Sequence, residues 1–109
     1  MSKYQRDKGK RGEYEVSDIL KRIFPEAKRH LEFQGQEAKG YDIDNTGALR
    51  VQVKNHARYV NPSIIEEVKE SGIPVLCTKA TRKKWIACLY LDDFIKILSD
   101  IGIVYETKP

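Results

Sequence analysis

The sequence predicts a single α/β domain, a mixed sheet flanked by helices, in the order helix, three strands, helix, two strands, helix. Three observations carry this. Val16, Ile19, Leu20 and Ile23 recur at helical spacing and stop at Pro25, so residues 12–24 read as a helix with one apolar stripe. Residues 41–44 and 49–54 read as short strands around Asn45-Thr46-Gly47-Ala48, which tolerate the positive φ of a tight hairpin. Residues 73–78 (IPVLCT) form a near-continuous apolar run, as expected of a central strand covered on both faces.

Composition bounds the rest. With 109 residues the chain can bury one core but not two. Its 40% hydrophobic and 33% charged content is that of an ordinary globular protein. No apolar run approaches the length of a membrane span, and MSKYQRDKGKRG carries no signal-like apolar core. The expectation is a protein of the cytoplasm, or of the host cytoplasm or nucleoid if viral, with no membrane partner. The net charge of +4 is concentrated at the start: Lys3, Arg6, Lys8, Lys10 and Arg11 face only Asp7 there. A basic segment beside a balanced body fits contact with a phosphate backbone, and equally a solvated, flexible arm over residues 1–8. Cys77 and Cys88 lack metal-site spacing and read as buried, reduced thiols.

The remaining elements follow in order. Residues 28–33 suit a strand and 34–39 a polar loop. After the hairpin, NHARYV leads to Asn61-Pro62, an N-cap followed by a proline fit for a first helical turn, so residues 62–71 read as a helix closed by Gly72. Lys79 to Lys84 (KATRKK) is a basic turn, residues 85–91 a strand, and Asp92 or Asp93 caps a short helix to about Leu98. Residues 101–105 suit an edge strand.

The hairpin holds the residues with chemistry. Alternation puts Val51 and Val53 on one side of the strand and Gln52 and Lys54 on the other, with Asp42 and Asp44 together on the partner strand. Asp42, Gln52 and Lys54 are thereby expected in one polar cluster. A carboxylate holds a hard cation, the cation polarises water and phosphate oxygens, and an ammonium orients the water, so the cluster suits attack on a phosphodiester. The same residues also suit the wet face of an ordinary surface hairpin. On the first helix, Glu13 lies at the inward edge of the apolar stripe and Glu15 approaches from the other flank. Either is a candidate metal ligand or a plain helix-dipole partner.

Taken together, Lys8-Gly9-Lys10-Arg11-Gly12-Glu13, Gly40-Tyr41-Asp42, Val51-Gln52-Val53-Lys54, Gly72-Ile73-Pro74-Val75-Leu76 and the strand opened by Trp85 resemble the PD-(D/E)XK nuclease superfamily. The closer likeness is to the archaeal-type Holliday-junction resolvases. The resemblance spans residues 8–91. It implies a restriction-endonuclease-like fold and a metal site of Glu13, Asp42, Gln52 and the Val53 carbonyl, with Lys54 acting on the attacking water. The implied cofactor is Mg²⁺, with Mn²⁺ as a substitute. The implied activity is paired, symmetric nicking of four-way DNA by a homodimer.

In this family the spacing after the Lys-Gly pair favours Glu13 over Glu15. Position 52 departs from the pattern, since the family usually has Glu or Asp where this chain has Gln52. An amide oxygen still ligates a hard cation but removes one negative charge, which Asp44 is a candidate to restore. Lys3, Arg6, Lys8, Lys10, Arg11, His56, Arg58, Arg82, Lys83 and Lys84 are the candidate DNA contacts. His30 is expected to be a strand-face residue and Trp85 a core or dimer-interface residue. Two other readings stay open: another DNA nuclease on the same scaffold, for nicking or repair, and a DNA-binding module disarmed at Gln52.

Overall fold

The computed structural model describes residues 2–31 and 39–102. Its elements are α1 (Lys3–Leu20), β1 (Lys28–Arg29), β2 (Ile43–Asp44), β3 (Leu49–Asn55), a 3-10 helix (Pro62–Glu67), β4 (Ile73–Lys79), β5 (Ile86–Cys88) and α2 (Leu91–Asp100). The five strands form one mixed sheet in the spatial order β1-β2-β3-β4-β5. Only β3 and β4 run parallel, with Val51 opposite Val75 and Val53 opposite Cys77. Parallel neighbours need a crossover, and the segment bearing the 3-10 helix supplies it. The expected α/β class with a mixed sheet flanked by helices is what the chain adopts.

The core lies between α1 and the sheet. Val16, Ala27, Ile43, Val51, Val53 and Val75 are buried together, with Leu20, Phe24, Ile73 and Trp85 packed against them. The helical stripe differs from expectation. Gly12, Val16 and Ser17 are its buried positions, whereas Ile19 and Ile23 are exposed. The helix ends at Leu20, so Ile23 falls in a turn and cannot continue the stripe. Gly12 lets the helix approach the end of β3. A Cβ there would lie 2.8 Å from the Asn55 Cβ and 3.2 Å from the Trp85 ring.

Residues 3–8 are helical rather than a flexible arm. Ser2 Oγ accepts from Gln5 N–H at 3.1 Å, and Gln5 Oε1 accepts from Ser2 N–H at 3.2 Å. This reciprocal capping box satisfies two groups that a helix start leaves unpaired. The second expected helix is a shorter 3-10 helix. Asn61 does cap it, accepting from Ser63 N–H at 2.9 Å. It cannot run on to Ser71, because Lys69 N–H donates to the Lys39 carbonyl at 2.9 Å instead of to its own helix.

The hairpin forms as expected, with Asn45 at φ 66° and Gly47 at φ 60°. Residues 80–85 make the basic turn between β4 and β5, where Lys83 N–H donates to the Ala80 carbonyl at 2.9 Å. Cys77 and Cys88 are free thiols, half-buried rather than fully enclosed. Burial, with Cys88 nearby as the second cause, pushes the Cys77 thiol up to about 11. Residues 101–102 form a turn, and the rest of the expected edge strand lies outside the described residues, as do residues 32–33 of the first strand. No helix of the described residues is long and apolar enough to cross a membrane.

Candidate functional site

The site is built where β2 and β3 part. Asp42 N–H donates to the Val51 carbonyl at 2.7 Å, the last backbone rung before Ile43 pairs with Val51. Val53, two residues on, finds no backbone partner there. Its N–H donates to Asp42 Oδ2 at 2.7 Å. A side-chain carboxylate thus replaces a rung of the ladder, an arrangement that holds Asp42 firmly at the mouth of the cleft. One residue's N–H and C=O face the same neighbouring strand, so the Val53 carbonyl lies on the Asp42 side of β3.

The first turns of α1 roof this cleft. Asn55 Nδ2 donates to the Lys8 carbonyl at 3.0 Å, and Gly12 permits the close approach. The result is an open groove of about 950 Å³. Glu13, Arg29, Asp42, Val53 and Lys54 line its floor and wall, with Asn55 and His56 beyond them. Lys3, Arg6, Lys8 and Lys10 line its roof. The groove therefore combines carboxylates at its base with a basic rim, which suits an anionic ligand held through a cation.

Of the expected residues, Glu13, Asp42, Val53 and Lys54 are brought together. Gln52 is not part of this groove lining. It is 3% exposed, and its Nε2 donates to Glu67 Oε1 at 3.1 Å. Its Oε1 is buried and has no hydrogen-bond partner among the described residues. The expected wet cluster of Asp42, Gln52 and Lys54 is corrected accordingly. Val51, Gln52 and Val53 are all buried, because β3 is covered on both faces rather than on one. An unpaired buried polar atom of this kind costs on the order of 1–3 kcal/mol.

The flanking carboxylates separate cleanly. Glu13 Oε1 accepts from Arg29 Nε at 2.8 Å, both side chains being about one-fifth exposed. Burial alone would lower the Arg29 guanidinium. Hydrogen bonds and charge from Glu13 and Tyr14 outweigh it and raise the group above its ordinary value. The Arg29 guanidinium carbon also sits 5.0 Å from the Tyr14 ring centre. Glu15 turns to the other flank, accepting from Trp85 Nε1 at 3.0 Å and lying 3.7 Å from Lys79 Nζ. Asp44 accepts from His30 Nδ1 at 2.9 Å and borders a different hollow with Arg50 and Glu70. Neither Glu15 nor Asp44 joins the groove.

Lys54 is half-buried and forms no ion pair or side-chain hydrogen bond among the described residues. Arg11 and Arg58 are exposed but lie outside the groove lining. Arg82, Lys83 and Lys84 are exposed on the β4–β5 turn, which Lys8 Nζ joins to α1 through Thr81 Oγ1 at 3.5 Å. His30 is engaged with Asp44 and stacks at a tilt on Tyr41, 4.8 Å between ring centres. Trp85 is partly buried against the core.

The donor set fits a hard divalent cation in type. It offers two carboxylates and a backbone carbonyl on the Asp42 side, and outside the groove lining the residue before Val53 carries an unpartnered amide oxygen, all oxygen. No three His, Cys, Asp or Glu side chains converge among the described residues. A metal here would rest on two carboxylates and neutral oxygens. Sequence reasoning missed three contributors. Asn55 directly follows Lys54 and ties down the helix. Arg29 pairs with Glu13, and Glu67 holds Gln52. Nothing local in the sequence marks the last two, since both meet their partners only in three dimensions.

Comparison with protein-family profiles, with characterised proteins and with solved structures finds no match to this chain.

Proposed function

We propose that this protein is a Mg²⁺-dependent endonuclease of the PD-(D/E)XK type that resolves four-way DNA junctions. One observation carries the reading: Asp42 is locked onto Val53 N–H at the point where β2 and β3 separate, with Glu13 and Lys54 in the same groove. That supports the restriction-endonuclease-like arrangement expected from the motifs. Mg²⁺, or Mn²⁺ in its place, would be held by Glu13, Asp42 and the Val53 carbonyl, with the Gln52 amide oxygen as a further ligand, and would supply water polarisation and charge neutralisation at the phosphate. Lys54 orients the attacking water, and its ammonium offsets the negative charge that develops as the water gives up a proton to solvent. The water oxygen bonds to phosphorus as the bond to the 3′-oxygen breaks, and the leaving oxygen acquires a proton. The products are a 5′-phosphate and a 3′-hydroxyl.

The basic roof of the groove and the Arg82-Lys83-Lys84 turn sit on neighbouring surfaces joined through Lys8 and Thr81. Both suit the sugar-phosphate backbone of branched DNA. A homodimer, which paired cutting requires, has a surface available. α2 buries no residue, and Leu91, Phe94 and Ile95 on it are exposed.

A second reading is favoured by the Glu13–Arg29 pair, which engages one of the two carboxylates internally. In it the protein binds DNA without cutting. One assay separates the two. A labelled four-way junction and a linear duplex of the same arms are incubated with the protein and Mg²⁺, alongside Asp42→Asn and Lys54→Ala. Paired symmetric cuts in the junction, lost in both variants, are the expected result. Cutting of both substrates would retain a nuclease without junction selectivity, and tight binding with no cutting would leave the DNA-binding module.

A further inference from the structure

Position 52 is where the chain departs from an acidic metal site, and the structure offers a physical remedy. A carboxylate has acceptors only, so the contact from Gln52 Nε2 to Glu67 Oε1 at 3.1 Å fixes which end of the amide faces Glu67. The oxygen end is thereby directed away from Glu67. It is buried and unpartnered among the described residues, and Gln52 as a whole is 3% exposed. An amide held by one end, with its carbonyl oxygen withheld from every donor among the described residues, is prepared for a cation.

Glu67 is itself tied to the strands that carry the site. The 3-10 helix ends against the segment that enters β2: a Cβ at Gly40, which has φ +83°, would collide with the Glu67 carbonyl. Lys69 N–H donates to the Lys39 carbonyl one step away. Gln52 is the neighbour of Val53, whose N–H holds Asp42, and alternation puts Gln52 on the same face of β3 as Lys54.

We propose that Glu67 is a positioning residue for divalent-metal binding. It holds the Gln52 amide by its nitrogen so that Oε1 is presented as a neutral metal ligand. The arrangement parallels carboxylates that orient ligating histidines from behind. This inference rests on the metal-nuclease reading above.

The test is Mn²⁺ binding to the full chain, followed by electron paramagnetic resonance, with melting temperature recorded for each variant. Wild type is expected to bind and Asp42→Asn to lose binding. Glu67→Ala should weaken Mn²⁺ about tenfold or more, measured well below each variant's melting temperature, because the Gln52 Nε2 left without its partner also lowers stability. Glu67→Gln, which offers either an oxygen or an NH2 to the amide, should fall between. The decisive arm is Gln52→Glu. A carboxylate at position 52 has no wrong end, so adding Glu67→Ala to Gln52→Glu should cost no affinity.

Unchanged affinity in Glu67→Ala, with binding still lost in Asp42→Asn, would overturn this inference and leave the nuclease reading standing. An equal loss from Glu67→Ala in both backgrounds would also overturn it, since Glu67 would not be acting through the amide. Absence of Mn²⁺ binding in wild type, or binding indifferent to Asp42, would overturn both.

Discussion

The two sides of β3 treat their polar groups in opposite ways. Toward β2 and the first turns of α1, the strand opens: Asp42 caps Val53 N–H, and Glu13, Lys54 and a basic rim surround an accessible groove. Toward the 3-10 helix, the strand closes: Gln52 is buried and held by Glu67, while Leu76 and Thr78 of the adjoining β4 are fully enclosed. Residues at neighbouring positions of one strand therefore meet solvent in one case and enclosure in the other. What decides between them is what lies beside each: Glu67 closes over Gln52, and the parting of β2 leaves the groove beside Lys54 open. β2 leaves after one rung, whereas β4 stays paired along the whole of β3.

The comparison can be broken most severely on the open side. Asp42→Asn removes a charge but retains an oxygen for Val53 N–H. Cleavage should fall by on the order of a hundredfold or more, with stability changed by only about 1 kcal/mol. Single-turnover rates and a denaturant titration check the two halves of that statement. Lys54→Ala should likewise lose turnover while leaving DNA affinity nearly unchanged, because the groove's roof supplies most of its positive charge.

Stability provides the next test. Gly12→Leu forces side-chain volume between α1 and Asn55, where even a Cβ would lie at 2.8 Å. It should cost roughly 1–3 kcal/mol, read as a lower urea midpoint. Cys77, which packs on β4 against the α1-facing core, gives a test through pH. Its raised thiol stabilises the fold fully below its ordinary value of 9.0. That contribution is lost as pH rises from there through about 11, because the unfolded thiol ionises first. A Cys77→Ser variant should show a shallower decline of stability over that window. The smallest effect is expected at Glu15, which binds Trp85 and Lys79 on the other flank. Glu15→Gln should leave cleavage as it is and change stability by about 1 kcal/mol or less. A large loss of cleavage there would erase the distinction drawn between Glu13 and Glu15.

Much of this was legible in the sequence because it is local. Asn45 and Gly47 marked the hairpin, IPVLCT the strand β4, and helical spacing put Glu13 and Glu15 on opposite flanks of α1. Ser2 and Gln5 also spelled out a capping box, yet the run of basic residues read as an arm. The capping hydrogen bonds are local as well, so this feature was open to sequence reasoning.

Gln52 was not legible in the same way. Alternation assigns it to the Lys54 face but is silent on whether that face is wet. The answer depends on the crossover folding back over β4 and on Glu67 arriving from 15 residues away. The Glu13–Arg29 pair is likewise a contact between elements, set by where β1 lies under α1.

The central claim is a cation site at the parting of β2 and β3, and anomalous diffraction from crystals soaked in Mn²⁺ tests it most directly. The account predicts a single strong peak within bonding distance of the Asp42 carboxylate and the Val53 carbonyl, with Glu13 drawn from Arg29 toward the ion. A peak elsewhere, or none with the Glu13–Arg29 pair undisturbed, would contradict it.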